Sequence, residues 1–101
     1  MILLIGYMGA GKTTLGKALA QHLNCQFYDL DQYIEQTTSH TTEQIFATHG
    51  ESGFRQIEHD ALNEILTNTE GVLAVGGGTP CFFDNMEQMN RHAITIYLKA
   101  T

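Results

Sequence analysis

The sequence predicts an α/β fold in three layers, a parallel sheet with helices on both faces. Short apolar runs alternate with segments of helical periodicity along the whole chain. The first run, residues 2–5, leads straight into a glycine-rich loop that opens a helix. Later runs end on an Asp-Leu-Asp segment and on three consecutive glycines, and the strand ends of such sheets line a ligand crevice.

Each element has its own reason. Residues 2–5 (Ile-Leu-Leu-Ile) are too uniformly apolar for a strand with one wet face and suit the middle of a parallel sheet. A helix is expected over 13–23, with Leu15, Leu19 and Leu23 at i, i+4 and i+8 as its buried stripe. A second strand, 26–30, runs into Asp29-Leu30-Asp31, then a brief helix through Tyr33 and Ile34 and a polar turn over 37–40. Thr41-Thr42-Glu43-Gln44 has the form of a capping box opening a short helix through Ile45 and Phe46, which Gly50 breaks. The longest helix, 52–68, buries Phe54, Ile57, Ala61, Leu62, Ile65 and Leu66. Gly71 turns the chain into a third strand, 72–75, which stops at Gly76-Gly77-Gly78. Asp84 is expected to cap a helix through Met86 and Met89, and 93–98 form a fourth strand. There is no repeat, linker or low-complexity stretch, so the 101 residues are expected to form a single domain.

Composition limits the partners. With 43% hydrophobic and 16% charged residues the chain has an ordinary globular balance. No apolar stretch approaches the ~20 residues that cross a bilayer, and the start lacks a basic leader, so a cytoplasmic protein with no membrane partner is expected. The net charge is −6, and only Lys12, Lys17, Arg55, Arg91 and Lys99 are positive. A polynucleotide partner needs a basic face, so nucleic acid is excluded. An acidic protein that binds anions must place its few cations carefully, which directs interest to Lys12 and Arg55. Cys25 and Cys81 form no C-x-x-C pair and read as free thiols, and the five histidines lack metal-ligand spacing.

Gly6-Tyr7-Met8-Gly9-Ala10-Gly11-Lys12-Thr13 fills G-x-x-x-x-G-K-[ST] between a strand and a helix, the context the pattern requires. Loop N–H groups and the helix N-terminus cradle phosphates, Lys12 reaches the β/γ-phosphates, and the Thr13 hydroxyl sits on Mg²⁺. The fold class is therefore that of the P-loop nucleoside-triphosphate hydrolases. Asp29 and Asp31, two apart at a strand end, lean to one side of an extended segment. One carboxylate can hold Mg²⁺ through water while the other orients a hydroxyl for attack, although an acidic helix N-terminus accounts for the same spacing. Arg55 and Glu58 are i, i+3, either a surface ion pair or a guanidinium aimed into the crevice to grip a carboxylate. Gly76-Gly77-Gly78 is either a sharp turn or a place where a substrate nears bare backbone.

Together, GYMGAGKTTLGKALA, FYDLDQYIE, IFATHGESGFRQIE and VLAVGGGTP resemble the shikimate kinase family, in its order and spacing over essentially the whole chain. The resemblance implies transfer of the ATP γ-phosphoryl group to the 3-hydroxyl of shikimate, a step of aromatic amino acid biosynthesis, by a monomer using Mg²⁺. It implies that Gly9, Ala10, Gly11, Lys12, Thr13 and Thr14 surround the phosphates, with Lys12 also catalytic and Thr13 a direct Mg²⁺ ligand. Asp29 reaches the metal through water, and Asp31 binds the substrate hydroxyl as the candidate base. Arg55, supported by Glu58, holds the carboxylate. Gly77 offers its backbone, Gly76 and Gly78 shape the turn, and Phe46 and Phe54 wall the pocket.

Family members continue past the fourth strand through a helix, a mobile lid, a fifth strand and a last helix. That part carries an adenine-side arginine, a lid arginine and a second arginine on the carboxylate, and Arg91 comes too early to replace any of them. The chain is thus expected to stop before the lid and fifth strand, binding nucleotide but turning over weakly or not at all. A gluconate-type or nucleoside monophosphate kinase, or an inactive nucleotide-binding module, remain the alternatives. A GTPase does not, since no D-x-x-G follows any Asp and no N-K-x-D is present.

Overall fold

The structure, a computed structural model, describes residues 1–6 and 11–98. In chain order the elements are β1 (Ile2–Ile5), α1 (Lys12–His22), β2 (Phe27–Asp29), α2 (Leu30–Thr38), α3 (Thr42–Asn68), β3 (Val72–Val75), a 3₁₀ turn (Thr79–Cys81), α4 (Asn85–His92) and β4 (Ile94–Tyr97). The four strands form one parallel sheet in the order β2-β3-β1-β4. Leu3 lies beside Leu73 and Ile5 beside Val75, so the ends of β1 and β3 are level.

Alternation along the strands divides the core. Leu3, Ile5, Leu73 and Val75 face one side and pack with Leu30 and Ile34 of α2, Phe54, Leu62 and Ile65 of α3, and Met89 of α4. Leu4 and Val72 face the other side, against Ala20 and Leu19 of α1. Helices therefore cover both faces, as the alternation of elements predicts. Among the described residues no helix is long and apolar enough to cross a membrane.

Three local expectations need correction. The buried stripe of α1 is Gly16 and Ala20, while Leu15 and Leu23 are exposed. Small residues let the helix lie close against Phe27 and the sheet, and that closeness turns the larger leucines outward. The second strand ends at Asp29, and Leu30 and Asp31 already belong to α2. Asp84 occupies the N-cap position of α4, but its side chain caps no backbone group and accepts instead from Gln88 Nε2 at 2.9 Å. The capping box at α3 is present, with reciprocal bonds between Thr41 and Gln44, and Gly50 interrupts the helix at φ 70°, ψ −177°.

Gly71 sets the entry into β3 at φ 141°, where a Cβ would run into the Gln26 carbonyl oxygen. That carbonyl is pinned by the Val72 N–H at 2.9 Å and cannot give way without loosening the β2–β3 pairing. Gly71→Ala is therefore expected to lower stability by about 2 kcal/mol or more. Urea unfolding would read this as a lower midpoint at constant slope. An unchanged midpoint would contradict it.

Candidate active site

A crevice of about 730 Å³ opens at the carboxyl ends of β1, β2 and β3. Gly6, Gly11, Lys12, Thr13 and Thr14 form one wall, Asp29 and Asp31 another, and Phe46, Phe54, Arg55, Glu58 and Gly76–Thr79 close the far side. The three strand-end motifs thus meet in one place. Gly9 and Ala10 lie outside the described residues.

The first wall is built to hold anions. Helix α1 begins after Gly11, with no side-chain cap and no acidic residue in its first turn. Its leading N–H groups and dipole present positive potential to the crevice. Lys12 Nζ donates to the Val75 carbonyl at 3.0 Å, which anchors the ammonium between the ends of β1 and β3.

The acidic wall is arranged differently from an extended pair. Asp29 is the N-cap of α2 and accepts from the Gln32 N–H at 3.2 Å, while Asp31 sits in that helix's first turn. Capping and crevice lining coincide in the same two residues. Asp31 is exposed to the open crevice, yet the groups crowded round its carboxyl still matter. Partial desolvation raises its pKa above the ordinary 3.8, repulsion from Asp29 adds to this, and Lys12 opposes it.

Among the described residues, no group of three or more His, Cys, Asp or Glu side chains forms a ready metal cage. The Thr13 hydroxyl and the Asp29 carboxylate, on two walls of the one crevice, are hard oxygen donors. That is a fitting donor set for Mg²⁺, which keeps waters and leans on phosphate oxygens.

On the far side, Arg55 Nη1 donates to Glu58 Oε1 at 2.9 Å. Glu58 is only 3% exposed, so this is not the surface pair the spacing allowed. Its second oxygen accepts from the Thr79 hydroxyl at 2.9 Å. The guanidinium carbon lies 4.2 Å from the centre of the Phe82 ring and 5.4 Å from that of Phe54. Arg55 Nε is buried with no hydrogen-bond partner among the described residues, an expensive state unless an arriving acceptor relieves it. Gly78 comes so near that a Cβ there would stand 3.2 Å from Arg55 Nη2. Glycine at this position keeps the guanidinium edge open.

Sequence reasoning missed Thr79, Phe82 and Asn85. Thr79 follows the glycines directly and was legible as part of their turn. Phe82 and Asn85 lie in an irregular segment whose side-chain directions no periodicity encodes.

The family model described as "SKI: Shikimate kinase" matches residues 8–101. The chain is 53% identical over 97 residues to the Shikimate kinase of Phocaeicola vulgatus, an alignment spanning 96% of this chain and 55% of that protein. A solved structure of Shikimate kinase from Bacteroides thetaiotaomicron superposes with a TM-score of 0.93 at 52% identity, covering 97% of this chain and 58% of that one. Shikimate kinase from Acinetobacter baumannii in complex with shikimate gives a TM-score of 0.94 at 43% identity, covering 99% and 56%. The chain therefore spans somewhat more than half the length of these relatives.

The raised pKa of Asp31 has a signed consequence for stability. Between its unfolded and folded values the folded state holds the proton more tightly, so stability falls as pH rises through that window. Relative to Asp31→Asn, the wild type is expected to lose stability as pH rises from the ordinary carboxylate value of 3.8 toward the higher folded one. Urea midpoints of both proteins across the acid range test this. A wild-type advantage that grows with pH would contradict it.

Proposed function

The chain belongs to the shikimate kinase family, and on that premise we propose that it transfers the γ-phosphoryl group of ATP to the 3-hydroxyl of shikimate. The product is shikimate 3-phosphate, an intermediate of aromatic amino acid biosynthesis. One observation supports this best: an anion-holding helix start, an acidic pair and a guanidinium with an orphaned donor share a single crevice.

In this reading Gly9, Ala10, Gly11, Lys12, Thr13 and Thr14 take the ATP phosphates, and Lys12 neutralises charge that builds up during transfer. Mg²⁺, held by Thr13 and through water by Asp29, neutralises phosphate charge when bound. Asp31 orients the acceptor hydroxyl and takes its proton as that oxygen bonds to the γ-phosphorus. The bond to the β–γ bridging oxygen breaks, and ADP leaves. A carboxylate with a raised pKa accepts that proton more readily than an ordinary one.

Arg55 binds the acceptor's carboxylate. Glu58 engages Nη1, so Nε and Nη2 remain for a two-oxygen partner. Gly77 and Gly78 bring bare backbone to the acceptor, and Phe46 stacked on Phe54 walls the ring, their centroids 4.6 Å apart. The same reading takes the protein as a cytoplasmic monomer, working where ATP and Mg²⁺ are supplied.

With Mg–ATP and shikimate, gluconate or AMP offered as acceptors, phosphorylated shikimate is the expected product. Preferential phosphorylation of gluconate or AMP would overturn the choice of acceptor. Asp31→Asn is expected to lower the rate about 10²-fold or more while nucleotide affinity holds. Arg55→Lys keeps the charge but loses the fork, and shikimate affinity is expected to fall about tenfold or more.

For the 101 residues assayed alone, nucleotide binding with little turnover is expected. Among the described residues Lys12 and Arg55 are the only cations lining the crevice, and water enters it freely. Mass-spectrometric product detection reads such rates. Turnover in the usual kinase range, about 1–100 s⁻¹, would contradict the low rate without touching the assignment.

A further inference from the structure

The buried polar residues among those described are Glu58, Thr79 and Asn85, and one chain of hydrogen bonds joins all three. It starts in the crevice at Arg55 and runs to His59 and Asn63 of α3. Arg55 Nη1 donates to Glu58 Oε1, and the Thr79 hydroxyl donates to Glu58 Oε2. Asn85 Nδ2 donates to the Thr79 carbonyl at 2.9 Å, and Asn85 Oδ1 lies 2.7 Å from His59 Nδ1. His59 Nε2 stands 3.2 Å from Asn63 Nδ2.

Hydrogen-bond chemistry fixes the directions from Arg55 to His59. A carbonyl only accepts, so the amide nitrogen of Asn85 must face Thr79. Oδ1 then faces His59, whose Nδ1 carries the hydrogen of that bond, and Nε2 meets the Asn63 amide. Asn85, wholly buried at the start of α4, therefore ties the turn after the glycines to the helix that carries Arg55 and Glu58.

We propose that Asn85 is a positioning residue for the acceptor half of the crevice: by holding the Thr79 carbonyl and His59 together, it aligns Glu58 so that Glu58 presents Arg55 to the acceptor carboxylate. The inference rests on Arg55 as the carboxylate-binding residue. Among the described residues no side-chain hydrogen bond links these groups to Lys12, Thr13 or Thr14, so the nucleotide half of the crevice is expected to be unaffected.

Asn85→Asp keeps size and the acceptor toward His59 but sets a carboxylate oxygen against the Thr79 carbonyl. By calorimetry on the 101-residue chain, its Kd for shikimate is expected to rise about tenfold while that for Mg–ATP stays within about twofold. Thr79→Val, which deprives Glu58 Oε2 of its donor, should give the same split, and Thr79→Ser, which restores the hydroxyl, should reverse it. Asn63→Ala, at the outer end, should leave both affinities near wild type.

Amide hydrogen exchange gives a readout independent of any acceptor. In Asn85→Asp, the Thr79 and Cys81 amides, bonded to the Gly76 and Gly78 carbonyls, should exchange about tenfold faster while Leu73 and Ala74 in β3 do not. Equal weakening of shikimate and Mg–ATP binding, or exchange accelerated uniformly, would mean general destabilisation and overturn the proposal. If wild type does not bind shikimate, the functional reading fails. The exchange pattern then decides the positioning role alone: acceleration confined to the turn upholds it, and unchanged exchange there overturns it.

Discussion

Parallel pairing of β1 with β3 decides where everything in the crevice lies. In a parallel sheet all strands deliver their carboxyl ends to one edge, and here the strand that feeds the phosphate loop lies in register beside the one that feeds the triple glycine. β2 flanks β3 on its other side and brings Asp29 to the same edge. Residues remote in sequence become neighbours without any loop having to reach. Because β1 and β3 are buried on both faces, the strand ends are held by the core and not by the ligand site. Lys12 adds a cross-strand tie, its ammonium on the last carbonyl of β3.

Electrostatics then sort the crevice into halves. A chain with net charge −6 repels anions at long range, so any anion it binds must be met by local positive groups. At one end these are an uncapped helix start and Lys12, and at the other Arg55. The carboxylates between them differ in kind. Glu58 is buried, and both its oxygens are engaged, so it serves as a fixed base for the guanidinium. Asp31 is open to the crevice, and its raised pKa reflects partial desolvation and the carboxylate beside it. A buried carboxylate with both oxygens engaged is held in one orientation, whereas one open to the crevice is free to exchange a proton with whatever enters it.

Much of this was legible in the chain itself. Uniformly apolar strands, a glycine loop of fixed spacing and a capping box are local signals, and local signals survive without tertiary knowledge. The positions of Lys12, Asp29, Asp31 and Gly76–Gly78 at one edge followed from topology alone, whereas the spacing of Arg55 and Glu58 fitted a surface ion pair equally well. What was not legible depended on how closely elements approach. The leucine stripe of α1 gave way to Gly16 and Ala20 because the helix sits tight on Phe27, a distance periodicity does not encode. Leu30 was read as strand and Asp31 as its extended end because α2 starts directly after Asp29, a boundary set by the Asp29 cap. Asn85 was hidden behind Asp84, whose type suggested the cap that its side chain does not make.

The segment between the 3₁₀ turn and α4 shows what the Arg55 end of the crevice demands of the backbone. Phe82 must point toward Arg55 and, three residues on, Asn85 must point inward toward Thr79 and His59. Extended chain would send side chains three apart to opposite faces, and a helix, which would hold them on one face, does not begin until Asn85. The chain solves this with Phe83 at φ 53°, a left-handed conformation that costs a non-glycine residue on the order of 1 kcal/mol or more. Phe83 is 60% exposed and recovers part of that by resting its ring against His59, with centroids 4.9 Å apart. A glycine would hold the same turn without strain but would give up the ring that covers His59. Strain is thus concentrated at one residue so that two neighbours of opposite chemistry can both turn inward, an aromatic face onto Arg55 and a buried amide onto Thr79 and His59.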